Sequence, residues 1–286
     1  MRMLRALSVA SILVFCVLAL ALPAAYQQMT SVAPPNNTYL GFDLIEYPGD
    51  AALPTLRKTF SFSNFWLGPP PGEKQTNWTG KRAALKAQGF GFVVLFTGRD
   101  SHNLKNAQDA QQKGILDADN AAKSAEREGF AKGTIIFLDI EEGGRLLASY
   151  HQYILSWLED LRRRSFRAGV YCSAVPVNEG KGVTITTAQD IHDHIGAREI
   201  AFWVYNDVCP PSPGCTFQTH LPPPSQSGFP AAQIWQYAQS PRRKERTAQC
   251  PANYAPDGNC YVPGDSAHKW FLDANVASSP DPSSKK

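Results

Sequence analysis

The chain has 286 residues, 43% of them hydrophobic and 19% charged, with a net charge of +3. That length suits one large α/β domain. The basic runs Arg162-Arg163-Arg164 and Arg242-Arg243-Lys244 are not interleaved with stacking aromatics, which argues against nucleic acid as a partner, and beyond residue 25 no stretch is long and apolar enough to cross a bilayer.

Arg2 and Arg5 precede an apolar run, Ala6 to Leu22, followed by Pro23-Ala24-Ala25. These are the basic, hydrophobic and small-residue regions of a secretory signal, so residues 1–25 are expected to be removed and the mature protein to be secreted or periplasmic, without stable membrane insertion. An uncleaved membrane anchor is the weaker alternative. Residues 26–38 read as a disordered linker, 39–276 as the folded domain and 277–286 as a disordered tail.

Within the domain, strands are predicted at Tyr39–Leu44, Phe60–Leu67, Phe90–Thr97, Thr134–Asp139, Ala168–Ser173, Ile200–Tyr205, Ala232–Tyr237 and Trp270–Asp273. Helices are predicted between most of them, at Leu53–Thr59, Lys81–Gln88, Asn106–Glu128, Leu146–Arg164 and Ala188–Ile195. Eight strands alternating with helices in one α/β domain predict a (β/α)8 TIM-type barrel rather than an open sheet. Beyond the sixth strand, Pro210 to Pro224 is too proline-rich for a helix and Gln239 to Ala267 reads as a loop, so the last helices should be irregular or missing. Loops that follow strands lie on the catalytic face of such barrels, making these two the expected walls of a cleft.

Cys16 falls in the signal, leaving Cys172, Cys209, Cys215, Cys250 and Cys260. The simplest pairing is two short local disulfides, Cys209 with Cys215 and Cys250 with Cys260, with Cys172 a buried thiol in a strand. No Cys-x-x-Cys spacing favours zinc.

The most informative stretch is Gly133 to Glu141, a β-branched and aromatic run that ends in two carboxylates one residue apart. Alternation along a strand points Asp139 and Glu141 the same way. Two acids side by side in a half-desolvated cleft raise one pKa, which is how a general acid is made. Capping of the following helix is the structural alternative. Asp43 ends the first strand and Asp273 the eighth, which are neighbours in a closed barrel, so four carboxylates should share one mouth. Trp235 and Tyr237 on the seventh strand, Asn275 beyond the eighth, Arg99 and Asp100 after the third, and Tyr205, Asn206 and Asp207 after the sixth should approach it. Glu46 is a weaker candidate. His192 and His194, flanking Asp193, are two apart and so face solvent rather than a shared metal.

This set resembles glycoside hydrolase family 25, the Chalaropsis-type lysozymes, which carry an Asp after the first strand, Asp-x-Glu after the fourth, Trp-Gln-Tyr on the seventh and Asp-x-Asn on the eighth. Gly41-Phe42-Asp43 and Asp117-Ala118-Asp119-Asn120-Ala121-Ala122 resemble more closely a related glycoside-hydrolase-like domain of unknown function, number 1906. The resemblance covers about residues 39–276. It implies Glu141 as general acid, Asp139 as its tuning partner that stabilises positive charge at the anomeric carbon or orients a participating N-acetyl group, Asp43 and Asp273 as residues that hold the sugar or order the partner carboxylate and water, and Trp235 and Tyr237 as apolar faces for a pyranose ring. No metal or cofactor is implied, and a monomer is expected. The expected function is cleavage of β-glycosidic bonds in an amino-sugar polymer such as peptidoglycan. The competing readings are a catalytically silent carbohydrate- or cell-wall-binding barrel and, more weakly, a metal-dependent phosphodiesterase, which would want histidines at strand ends.

Overall fold

Residues 37–217, 220–248, 250 and 259–284 are described by a computed structural model. The expected signal, and all of the linker except residues 37 and 38, lie outside these residues. Strands β1 (Tyr39–Asp43), β2 (Phe62–Trp66), β3 (Gly91–Thr97), β4 (Ile135–Asp139) and β5 (Arg167–Ser173) are followed by a separate hairpin of β6 (Val177–Gly180) and β7 (Val183–Ile185). Then come β8 (Ala201–Tyr205), β9 (Ile234–Ala238) and β10 (Asp273–Ala277). Eight of the ten close into a barrel in the order β1-β10-β9-β8-β5-β4-β3-β2. Every residue of β2, β4, β8 and β9 is buried, because helices cover the outer face while side chains fill the interior.

The helices are α1 (Leu53–Arg57), α2 (Arg82–Ala87), α3 (Ala107–Arg127), α4 (Ala148–Arg163), α5 (Thr187–Ile195) and α6 (Lys244–Thr247). Asn106 caps α3 by accepting a hydrogen bond from the Asp109 amide at 3.0 Å. The buried stripe Ala110, Gly114, Ala118, Ala121 and Ala125 lets α3 lie tightly against α4; a Cβ on Gly114 would meet the Tyr153 carbonyl oxygen at 2.5 Å. Beyond β8 the outer layer thins to a 3-10 turn at Pro224–Gln226 and the four-residue α6, as the prolines of the 210–224 loop require.

The closing strand departs from the expected barrel. β10 runs antiparallel to both neighbours, in register Tyr39↔Ala277 through Asp43↔Asp273 with β1. The predicted strand Trp270–Asp273 therefore ends where the true one begins. Its aromatic residues are engaged elsewhere: Phe271 bridges Tyr261, and the Leu272 amide donates to the Cys260 carbonyl at 3.1 Å. Because the direction is reversed, Asp273 still stands at the mouth, at the strand's beginning rather than its end.

The tail is ordered as far as Ser284, against expectation. It folds across the barrel floor, where the Phe92 amide donates to Asp281 Oδ1 (2.8 Å), the Val94 amide to Ser283 Oγ (2.9 Å) and the Ile135 amide to the Ser283 carbonyl (2.8 Å). These are the amides at the start of the parallel strands β3 and β4, which need partners once buried.

The disulfides also differ from expectation. Cys209 pairs with Cys250 and Cys215 with Cys260, with Cα–Cα separations of 5.6 and 5.1 Å. The loops that follow the adjacent strands β8 and β9 lie side by side, so each thiol meets a partner on the other loop rather than its neighbour in sequence. Cys172 is free and buried, and burial pushes its thiol up, away from reactivity. Among the described residues no helix is long and apolar enough to cross a membrane.

Candidate active site

The mouth of the barrel collects acids from three strands. Asp43 and Asp273 are register partners across β1 and β10, and Asp139 closes β4 with Glu141 two residues beyond on the same side. Ile140 is fully buried on the opposite side. The strand end is held closely: the Gly98 amide donates to the Asp139 carbonyl at 2.9 Å, and a Cβ on Gly98 would lie 2.2 Å from that oxygen.

A polar web fixes the acids. Gln236 Nε2 donates to Asp43 Oδ2 (2.9 Å) and to Asp273 Oδ2 (3.2 Å), while its Oε1 accepts from the Tyr171 hydroxyl (2.7 Å) and from Gln239 Nε2 (2.6 Å). Asn275 Nδ2 donates to Asp43 Oδ2 at 2.6 Å, its own Oδ1 taking the Trp203 indole N–H at 2.9 Å. The Ser240 amide donates to Asp273 Oδ1 at 2.6 Å. Asp139 Oδ2, by contrast, is buried with no donor in reach among the described residues. A charged carboxylate so placed would be costly, so Asp139 keeps its proton, and its carboxyl shares a hydrogen bond with that of Glu141.

All four acids sit above the ordinary carboxylate range. Burial pushes Asp43 up to about 6, partly offset by the hydrogen bonds from Asn275 and Gln236. Burial also raises Asp139, reinforced by the charge of Glu141, and raises Asp273, reinforced by the charge of Asp43. Enclosure raises Glu141, held back by the hydrogen bond from Asp139 and the Arg243 guanidinium. Asp139 and Glu141 thus act as one dyad that retains a proton.

This arrangement has a pH signature. A buried acid whose folded pKa lies above its unfolded one contributes stability at low pH that is lost as pH rises through the folded value. For Asp43, moving from 3.8 to about 6, that amounts to about 3 kcal/mol lost between pH 4 and 6. The melting temperature should therefore fall from pH 4 to pH 6, and Asp43→Asn should flatten that fall; an unchanged slope in the variant would refute the assignment.

The acids line a cavity of about 440 Å³ walled by Trp66, Tyr171, Trp203 and Arg243. A second hollow of about 620 Å³, walled by Glu46, Tyr47, Trp270 and Phe271, shares Asp43, Trp66 and Asp273 with it. Arg243 is pinned by Asp207, through Nε to Oδ2 at 2.7 Å and Nη2 to Oδ1, and lies 5.1 Å from the centre of the Tyr205 ring.

Several expected residues take other places. Trp235 and Tyr237 are fully buried on the outer face of β9, where Trp235 Nε1 donates to the Asn206 carbonyl (2.9 Å) and the Tyr237 hydroxyl to that of Thr216 (2.7 Å). Alternation along the strand is the reason: it turns Gln236, between them, into the pocket. Arg99 is locked in a bidentate pair with Asp117 of α3 (2.6 and 2.7 Å), which also takes the Tyr153 hydroxyl at 2.8 Å, so Arg99 anchors the loop after β3 and does not line the cavity. Asn275 is 1% exposed and positions Asp43 rather than meeting a ligand. Tyr205 is buried beneath Arg243. The loop after β9 supplies Gln239, Ser240, Pro241 and Arg243 to the wall, but no described residue of 210–224 lines it.

Gln236, Tyr171, Trp203, Trp66 and Arg243 line the cavity without having been expected from the sequence. For Gln236 the period-two rule was the available signal, since it turns that residue to the face opposite Trp235 and Tyr237; the ring of Asp139, Tyr171 and Trp203 follows only from the register of β4, β5 and β8.

The model of the family described as Rv2525c-like, glycoside hydrolase-like domain, matches residues 71–249. Among solved structures, an uncharacterized protein of B. stearothermophilus is 17% identical, with 84% of this chain and 95% of that one covered and a TM-score of 0.53. GHIP, a glycosyl hydrolase 25 of Streptococcus pneumoniae, is 12% identical over 84% of this chain and 86% of its own, with a TM-score of 0.52. The Tat-secreted protein Rv2525c of Mycobacterium tuberculosis is 17% identical over 85% and 96%, with a TM-score of 0.48. No curated protein matches in sequence.

Proposed function

Because this chain belongs to the Rv2525c-like glycoside hydrolase-like family, we propose that it is a glycoside hydrolase acting outside the cytoplasm on a β-linked amino-sugar polymer, peptidoglycan first. The observation that carries this reading is the dyad of Asp139 and Glu141 with Asp43 and Asp273 facing it in one cleft. Glycosidic cleavage needs a protonated and an ionised carboxyl flanking an oxocarbenium-like centre. As substrate enters, the dyad's proton passes from Asp139 to Glu141, the more exposed of the two, which delivers it to the leaving glycosidic oxygen as the C–O bond breaks and leaves Asp139 ionised. Asp139 then stabilises positive charge at the anomeric carbon, and water adds there, returning a proton to the dyad. Asp43 and Asp273, tied by Gln236, hold sugar hydroxyls or that water. The rings of Trp66 and Tyr171 take the place expected of Trp235 and Tyr237 as apolar faces for a pyranose.

The two disulfides support an oxidising compartment, in keeping with the expected N-terminal signal. The test is release of reducing ends from purified peptidoglycan and from chitin-like oligomers by the mature protein. Release is the expected result; binding to the polymer without release would give the site to a silent carbohydrate-binding barrel instead.

A further inference from the structure

Away from the cleft, α4 and α5 carry a second cluster of reactive side chains. Asp190 and His194 are four apart on α5 and so share one helical face, and His151 of α4 meets them. His151 Nε2 lies 2.7 Å from Asp190 Oδ2; His194 Nδ1 lies 3.5 Å from Asp190 Oδ1 and 2.7 Å from the Asp190 carbonyl. One donor atom from each residue falls within 4.8 Å of the others.

We propose that His151, Asp190 and His194 bind a divalent transition-metal ion, zinc in preference, at a site separate from the catalytic cleft. Two imidazoles and a carboxylate suit zinc, with water completing a tetrahedron. Zinc about 2.0 Å from each ligand spaces tetrahedral donors about 3.3 Å apart; the imidazoles face different oxygens of Asp190, at 2.7 and 3.5 Å, so the carboxylate can hold an ion between them through either oxygen. The ion takes the place of the protons that His151 and His194 direct at Asp190. The carboxylate is fixed in place beside the two imidazoles, since its side chain is 0% exposed, the Leu146 amide donates to Oδ2 at 2.9 Å, and Arg145, 3.4 Å from Oδ1, has its charge balanced by Glu179. One adjustment is needed. The two imidazoles stack at 3.6 Å with planes 13° apart, so His194, with a side chain 45% exposed, must turn its ring to bring its lone pair into line.

The site touches the segment that follows Glu141. Leu146 bonds to Asp190, and the Thr187 hydroxyl donates to the Glu142 carbonyl at 3.2 Å, so a bound ion fastens α5 to that segment.

The experiment is titration of the tag-free, chelator-treated mature protein with Zn²⁺ by calorimetry and with Co²⁺ by visible absorption. One equivalent should bind saturably, with ligand-field bands from Co²⁺ and a rise in melting temperature. His194→Ala, at an exposed ring that threatens no core, should weaken binding by about 100-fold or more, and His151→Gln likewise. The absence of stoichiometric binding, or binding that survives both substitutions, would overturn the proposal. Neither readout depends on glycosidase activity.

Discussion

Glu141→Gln should lower kcat for release of reducing ends by roughly 10³-fold, the usual contribution of a positioned general acid, while leaving KM and sedimentation with the polymer close to wild type. The amide keeps the shape of the side chain and removes the transferable proton. Melting should show that the fold survives, since Glu141 lies past the end of β4 at the rim of the cleft, outside the packed core. The pH profile adds a second readout. A general acid must be protonated to act, so the alkaline limb of kcat reports the proton held by the dyad, and the raised position of Glu141 moves that limb above the ordinary glutamate range. Loss of polymer binding together with activity would show that Glu141 holds substrate rather than donating to it.

The largest effect on stability should come from the crossed disulfides. They close loops with sequence separations of 41 and 45 residues. Chain entropy alone assigns each about 4 kcal/mol. Replacing Cys209 and Cys250 by serine should lower stability by about that amount, and removing both bridges by enough to prevent folding at growth temperature, as read by denaturant unfolding. The first bridge has a catalytic consequence as well. It ties the loop bearing Asp207 to the loop bearing Arg243, and Arg243 is the cation that restrains Glu141. Freed of it, Glu141 should titrate higher and the alkaline limb of activity should move upward. Unchanged unfolding free energy in the variant would refute the stabilising role.

The barrel strands and the helices of the first two thirds of the chain were legible because periodicity is local: the predicted Gly133 to Glu141 run ends in the dyad, and the Asp117 helix is found where expected, whereas the short hairpin of β6 and β7 was not predicted. Asp43 and Asp273 come together although β10 runs opposite to the expected direction, because in an antiparallel pair the end of one strand is the register partner of the beginning of the other, and Asp273 begins β10 where Asp43 ends β1. What failed required facing or distance. Trp235 and Tyr237 share one parity and Gln236 the other, so the conspicuous aromatics go outward and the unremarkable amide inward. The cysteine pairing could not follow from spacing, since it depends on which loops adjoin at the rim. The ordered tail was hidden by its Pro/Ser composition, which reads as disorder until the unpaired amides of β3 and β4 are seen to need it.

The reversal of β10 also sets the molecule's polarity. Tyr39 and Ala277 are partners at the floor of the barrel, while Asp43 and Asp273 are partners at its mouth. The seam that closes the barrel thus carries the acids at one end and the start of the floor-crossing tail at the other, so one pair of strands couples the anchoring of β3 and β4 to the placing of two of the four carboxylates.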